Sequence, residues 1–468
     1  MRFAEAFDGS FGQLHFGEAP VEPRRRRRLV RLADQILAHP EGTLPQKIPD
    51  PHQLDAAYRL LGADEVSHAA ALATHFRLTH ARMAEHPGDI VLVAHDDTLL
   101  DYSGIDADGL GPIGNGNGRG FVCHDSLAIT PEGRVLGLAH QVLYCHPPRG
   151  TKRQRPGPAG RLWRDAIAAV PPPPPPRQGQ GRGKRYVHLM DRAGDIAEVF
   201  DHADERGLSL VVRSQHDRSC EVDSQMTKLH ESARTWEAMG EGPARRIRVA
   251  SQKGRPERTA AVLIAWRMVT LQPPANGRGR ERGVPLVVWA VRVWEPEPPA
   301  GVEAVDWLLL TTVAVDTSED AWGRVAWYAR RMVVEDYHKG MKTGVSIEGL
   351  QLTTRGRLEA AVAVPSVVAV VLLAVRDAGR HEETAAEPAS AWVPPSWIEV
   401  LSRWRHKGEA MPGWSVGEFL MALGRLGGHQ NRPSDGAPGW LTLWRGWAKL
   451  QAMLQGAAIA SSKRSGGT

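Results

Sequence analysis

The sequence predicts an α/β fold with a β-rich stretch set into it and small helical regions at both ends. Three observations carry this. Two short apolar runs, Ile90–Ala94 and Tyr186–Met190, lead into aspartates, and the second is followed by a helical pattern and a further strand. Between 221 and 304 the pattern changes to longer β-type runs. Residues 1–70 and the last 70 or so carry helical periodicity.

At 468 residues the chain is long enough for two to four domains. Its 42% hydrophobic and 24% charged content is ordinary for a globular protein. Fifty-eight basic residues and a net charge of +5 fit a nucleic-acid partner. Cys123, Cys145 and Cys220 cannot form a disulfide framework and suit a reducing cytoplasm. Cys123-His124 and Cys145-His146 lack a CxxC spacing, so buried thiols are expected rather than zinc ligands. No apolar signal stretch opens the sequence. Ala360–Val375, interrupted by Pro365, is shorter than the ~20 residues of a membrane span and reads as a buried core helix.

Along the chain, Arg24–Arg28 open a helix whose Leu29, Leu32, Ala33, Ile36 and Leu37 form one apolar face. Five cations oppose the helix dipole at its start, which points to an anionic partner such as phosphate. A second short helix falls at 54–61 and another at 71–88. The strand 90–94 ends at His95-Asp96-Asp97, and Gly109–Gly120 reads as a turn. Phe121–Ile129 and Val135–Tyr144 form a strand pair. Residues 147–184, with Pro171–Pro176, read as an extended spacer. Tyr186–Met190 ends at Asp191. A helix with Ile196, Val199 and Phe200 inside follows, and then strand Leu208–Arg213. Ala260–Leu271, Pro285–Trp294 and Val305–Thr312 are β runs, and helices occupy Ser318–Val375. Residues 378–395 read as a linker. Seven of the fifteen tryptophans lie beyond residue 390, in either a small core or an interface. The organisation is 1–70 helical, 71–220 with 305–377 an α/β core, 221–304 a β-rich insertion and 378–468 helical.

Tyr328, Arg331, Glu335 and Lys342 stand at offsets 0, 3, 7 and 14. On one continuous helix they fall within roughly 60° of each other, with Lys339 beside them. One carboxylate among several bases suggests a metal ligand beside a phosphate backbone. Asp96 and Asp191, at strand ends, project from one edge of a sheet. Carboxylates from two strands and one helix can converge on hard cations such as Mg²⁺, though a strand-end aspartate equally caps a helix.

The Tyr-x2-Arg-x3-Glu-x6-Lys spacing resembles the signature of the DDE transposases of bacterial insertion sequences. The likeness is to the cut-and-paste, hairpin-forming branch, the insertion-sequence-four family. HDDTLLDYSG, VHLMDRAGDI, LSLVVRS, DWLLLTT, GRLGGHQ and PGWLTLWRGWAKLQ resemble further segments of that family, so the likeness covers most of the chain. It implies a ribonuclease-H-like core with a β-rich insertion, an N-terminal domain gripping the transposon end and a C-terminal dimerisation domain. Asp96, Asp191 and Glu335 would hold two Mg²⁺ ions, with Mn²⁺ able to substitute. Asp97 is an alternative to Asp96, and Asp195 reads as a helix-start residue. Tyr328, Arg331, Lys342 and Lys339 would hold phosphates, Arg213 would contact DNA and Trp307 would stack on a flipped base. Arg24, Arg25, Arg26, Arg27 and Arg28 would grip the end.

The implied reaction nicks one strand with water and then drives the freed 3′-hydroxyl onto the other strand to give a hairpin. Water opens the hairpin, and the 3′-hydroxyl joins target DNA. The implied partners are transposon-end and target DNA and a second copy of the chain, with no membrane. The implied location is the bacterial cytoplasm, at the nucleoid when bound to DNA. Two alternatives compete: a metal-dependent DNA nuclease without strand transfer, and a non-catalytic inhibitor of transposition that binds DNA.

Overall fold

The computed structural model describes residues 10–465, except 115, 149–157, 176–182, 240–243, 250–257, 274–283, 412 and 433–434. Five helices come first: α1 (Phe11–Phe16), α2 (Pro23–Ala38), α3 (Leu44–Lys47), α4 (Pro51–Leu61) and α5 (His68–Glu85). Then follow β1 (Ile90–Asp101), β2 (Gly111–Pro112), β3 (Arg119–Ile129), β4 (Val135–Tyr144), α6 (Pro158–Ala168), β5 (Arg185–Met190), α7 (Ala197–Arg206) and β6 (Ser209–Arg213). The β-rich stretch holds β7 (Ser219–Val222), β8 (Gln225–Lys228), α8 (Leu229–Arg234), β9 (Arg245–Val249), β10 (Arg258–Leu271), β11 (Leu286–Trp294) and β12 (Asp306–Thr311). Helices α9 (Ser318–Arg330), α10 (Val333–Lys339), α11 (Arg355–Ala378), α12 (Glu382–Ala385), α13 (Pro395–Arg405), α14 (Val416–Leu426) and α15 (Trp440–Ser465) complete the chain.

These elements form two compact units. One comprises residues up to 85, 97–151 and 333 onward; the other comprises 86–96 and 152–332, so the division falls within β1.

The second unit is built on a large mixed sheet. β1, β5 and β6 are parallel neighbours, and β12, β11, β10, β7 and β8 continue antiparallel, with β9 on β10. The parallel pair β5–β6 is joined through α7, as a crossover requires. The helix amphipathicity expected around Val199 and Phe200 buries both residues. The expected spacer is interrupted by α6, whose Trp163, Ala166 and Ile167 are buried. Their 3-1 spacing is a helical face, and the nearby prolines masked it. Pro171–Pro175 follow as largely exposed chain, and Pro176 lies outside the described residues.

In the first unit, α11 is the apolar 360–375 run extended to 24 residues. It is long and apolar enough to cross a membrane, yet nearly all of its apolar stretch is buried in the protein. Pro365 sits inside it. The Ser366 hydroxyl donates to the Val362 carbonyl, the one four residues back. Residues 378–395 are folded rather than a linker. Thr384, Ala389, Ala391 and Val393 are buried there, and the Ala389 N–H donates to the Trp414 carbonyl. Small alanines supply the inward side while Glu382 and Glu383 stay out, so the composition hid the packing. The seven C-terminal tryptophans divide between core and surface, with Trp392, Trp414 and Trp440 half-buried. Trp397, Trp444 and Trp447 are buried, with Trp397 and Trp447 edge-to-face at 4.1 Å, whereas Trp404 is exposed.

Candidate functional site

Strand alternation decides which side chains share a surface of the second unit's sheet. Met190, Leu210, Val212, Ala265, Ala290 and Leu310 enter a core with residues of α6, α7 and α8. The residues between them face the other way, where α9 packs on β5, β6, β10 and β11. Arg213 is registered opposite Leu309, and Trp307 opposite Val293, on this second face. Ala94 is registered opposite Leu189, also on this face. Two residues further along each of these parallel segments come Asp96 and Asp191. Alternation places each carboxylate on the α9 face, and both act on Arg331.

The end of α9 completes the constellation. Thr317 and Asp320 form a capping box at its start. Near its other end Tyr328 is 6% exposed, and its ring meets Trp307 edge-on at 5.7 Å. The Arg213 guanidinium lies 5.9 Å from the Trp307 ring centroid and hydrogen-bonds the Tyr328 side chain. Arg331 Nη1 donates to Asp96 Oδ2 at 2.8 Å, and both side chains are largely buried. Burial alone would lower the Arg331 pKa. The charges of Asp96, Tyr328 and Asp191 outweigh it and raise the guanidinium above its ordinary value. Burial lowers the Arg213 pKa, with Tyr328 opposing and Arg192 adding to the shift. Arg192 is a cation that sequence reasoning passed over, although it directly follows Asp191.

Some expectations need correction. Asp96 does not end its strand, because β1 runs on to Asp101; only the registered pairing with β5 stops at Ala94. Residues 328–342 are not one continuous helix. The N–H groups of Arg331 and Met332 reach only three residues back, to the carbonyls of Tyr328 and Ala329, and this tightening ends α9. After α10, residues Gly340–Gly344 form a π-helical turn. Both irregularities change the rotation per residue, so the calculated single face does not survive. Asp191 also caps the 3-10 turn Arg192–Gly194, its Oδ1 accepting from the Ala193 N–H at 2.8 Å. Asp195 is fully buried. It accepts from the N–H groups of Gln215 and His216 and pairs with Arg218 at 2.5 Å, which fixes the loop after β6.

The remaining candidates belong to the first unit. Asp97 accepts from His124 Nδ1 at 2.6 Å. Glu335 is half-buried on α10. Lys339 is exposed and lies 3.7 Å from Asp336; Lys342 lies 3.8 Å from Glu348. Cys123, Cys145 and Cys220 are not joined in disulfides. Among the described residues, no three His, Cys, Asp or Glu side chains are arranged to hold a metal ion. Asp96 and Asp191 are nonetheless the oxygen donors a hard dication takes. Arg331 already holds one cation against Asp96 there.

The arginine run lies where α2 starts. The Glu22 side chain accepts from the N–H groups of Arg24 and Arg25, an acidic cap that offsets the cations at the positive end of the helix dipole. α1 crosses α2 closely: a Cβ on Gly12 would come within 2.1 Å of the Val30 carbonyl oxygen. Between these helices opens a cleft lined by Gln13, Gly17, Arg26, Arg27 and Arg31. Arg31, one turn after Arg27, was missed because it lies beyond the run. Arg25 is paired with Glu65 at 2.8 Å, and Arg26 donates to the Ala19 and Val21 carbonyls. Arg24 and Arg28 do not line the cleft.

Residues 5–66 match the family model described as Transposase DNA-binding. Among solved structures, the chain is similar to a piggyBac transposase in a synaptic complex with hairpin DNA, at 9% identity and a TM-score of 0.34. The similarity covers 84% of this chain and 59% of that one, so the chain spans less than two thirds of that relative's length. The N-terminal match falls on the helices that form the arginine cleft.

Proposed function

We propose that this protein is a metal-dependent transposase of a bacterial insertion sequence, one that excises its element through a hairpin and joins the 3′ ends to target DNA. One observation carries the reading: Asp96, Asp191, Arg331, Tyr328, Trp307 and Arg213 come from five separate segments onto one face of one sheet. The parallel order β1-β5-β6, with Asp96 inside the first strand and Asp191 following the second, supports a ribonuclease-H-like core with 221–304 as its insertion.

In this reading Asp96, Asp191 and Glu335 hold two Mg²⁺ ions, or Mn²⁺ in their place. When bound, the cations supply Lewis acidity for in-line phosphoryl transfer at a DNA phosphodiester. Arg331 passes from Asp96 to a DNA phosphate, and its forked donors suit either partner. Trp307, with Arg213 over its ring and Tyr328 edge-on to it, is the aromatic side chain on which an extruded base can stack. Lys339 and Lys342 add phosphate contacts. Arg27 and Arg31 in the N-terminal cleft grip the element's end, with Arg24, Arg25, Arg26 and Arg28 setting the positive field around it. The C-terminal helices join two copies in the synaptic complex, at the bacterial nucleoid.

The test is cleavage of DNA carrying the element's flanking ends in Mg²⁺, wild type beside Glu335→Ala. Hairpin-ended products from wild type alone, with end-binding retained by the variant, are expected. Cutting by both proteins would remove Glu335 from the site. Cutting without hairpins or joined products would point to a nuclease without strand transfer, and binding without cutting to an inhibitor.

A further inference from the structure

The helix that carries Glu335 is too short to hold itself. α10 has seven residues, and isolated helices below about 12–15 residues are marginal in water. Its position must come from tertiary bonds, and the three residues after Glu335 supply them. Asp336 Oδ2 accepts from Arg376 Nη1 of α11 at 2.7 Å. The Tyr337 hydroxyl lies 3.3 Å from Gln141 Nε2, and Tyr337 is fully buried. His338 Nε2 lies 3.0 Å from Asp125 Oδ2, and since a carboxylate only accepts, the ring donates.

Asp125 is the unusual member. It sits inside β3 with no exposed surface. Its other oxygen accepts from Gln141 Nε2 of β4 at 2.7 Å, and Gln141 Oε1 lies 2.9 Å from His68 Nε2 of α5. A continuous run of hydrogen bonds thus joins α5, β4, β3 and α10 within the first unit. Burying a carboxylate is costly, and an apolar pair would pack α10 against β3 at less cost. What an apolar pair cannot do is fix the rotation of a short helix about its own axis. A directional bond at His338, one turn after Glu335 and on the same flank, does.

We infer that Asp125 and His338 are positioning residues that set the direction of the Glu335 carboxylate through the rotation of α10. This rests on the transposase reading, in which Glu335 is a metal ligand. Outer partners that orient ligands typically change metal affinity or activity by about 10- to 100-fold when lost.

The test uses full-length protein and end-bearing DNA, with His338→Ala, His338→Gln, Asp125→Asn and Glu335→Gln. Three readouts are taken: gel-shift affinity for the ends, Mn²⁺ binding by calorimetry, and the Mn²⁺ concentration giving half-maximal cleavage. For His338→Ala, end affinity should stay at the wild-type value while both Mn²⁺ measures weaken about 10- to 100-fold. His338→Gln, whose amide can still donate to Asp125, should recover part of the loss. In a Glu335→Gln background, His338→Ala should add no further loss of Mn²⁺ binding. Unchanged Mn²⁺ dependence with only a lower melting temperature would overturn the inference and leave the pair purely structural. Should His338→Ala not fold, Asp125→Asn carries the same readouts. If Glu335→Gln alone leaves Mn²⁺ binding and cleavage intact, the transposase triad fails first, and separately.

Discussion

Two sets of arginines in this protein invite comparison, because they reach the same kind of chemistry by opposite routes. Arg24–Arg28 are contiguous in sequence, and a helix spreads them around its axis. Arg25 is paired with Glu65 and Arg26 with two carbonyls, while Arg26, Arg27 and the later Arg31 line the cleft. Arg213 and Arg331 are far apart in sequence, yet a sheet face and a helix end bring them around Trp307 and Tyr328. Contiguous charge therefore says that a surface is basic, not which side chains serve it. Dispersed charge gathered by strand register is costlier to assemble, and each member is fixed in direction by its neighbours. Direction matters for transferring a phosphoryl group; for gripping a backbone, charge density suffices.

The comparison predicts its largest effect at Arg331. Arg331→Ala removes the partner of Asp96 and, in the proposed reading, a donor to phosphate. Loss of a preorganised donor to developing charge typically costs about 10²–10³ in rate. Cleavage should fall by that order while gel-shift affinity for the ends stays near wild type. Arg331→Lys should not restore it, because an ammonium cannot reproduce the forked contact. Equal losses of binding and cleavage would instead make Arg331 a grip residue of the same kind as the α2 arginines.

A smaller effect tests the other half. Arg27→Ala with Arg31→Ala should weaken end-binding and flatten its salt dependence by about 1.8 in log–log slope, at roughly 0.9 per lost phosphate contact. Arg26→Ala should behave differently. Its two carbonyl bonds tie α2 to the preceding turn, so stability should fall by about 1–3 kcal/mol, seen in urea melts. If Arg26→Ala shifts the salt slope as much as the Arg27 and Arg31 pair while leaving urea melts unchanged, the division of labour is wrong.

Much of this was legible in the sequence. The apolar face of α2 follows from its helical spacing, and the strand before Asp191 and the buried character of α11 follow from unbroken apolar runs, whose length and composition leave no side for water. What periodicity could not give was the turn at Arg331–Met332. It depends on where Asp96, 235 residues earlier, holds the guanidinium. The π-helical turn at 340–344 was equally invisible. There Gly340 and Gly344 let Trp440 and Trp444 approach so closely that an added Cβ would lie 3.0 Å and 2.7 Å from the indoles. The residues that fill the candidate site were named from spacing and resemblance; the break in their helix required long-range contacts. α6 was lost for a different reason, since the prolines after it outweighed a short apolar face.

Lys47 departs from both arginine sets, and it yields the smallest predicted effect. It is fully buried, with its ammonium donating to the Pro40 and Val345 carbonyls, the latter at 2.9 Å. Burial pulls its pKa down to about 7, against the weaker opposing charge of Glu41. In the unfolded chain a lysine titrates near roughly 10.4. Between about pH 7 and 10 the unfolded chain therefore binds more protons than the folded one at this residue, so stability must rise with pH across that window. Below about pH 7 both states are protonated and the contribution is flat. Wild type should thus gain stability in urea melts between about pH 7 and 9, and Lys47→Met should gain measurably less. The difference between the two proteins isolates Lys47 from every other group titrating there. Identical slopes would mean that the ammonium reaches water in solution, and that its carbonyl contacts do not hold the turn from Pro40 to Lys47 against Val345.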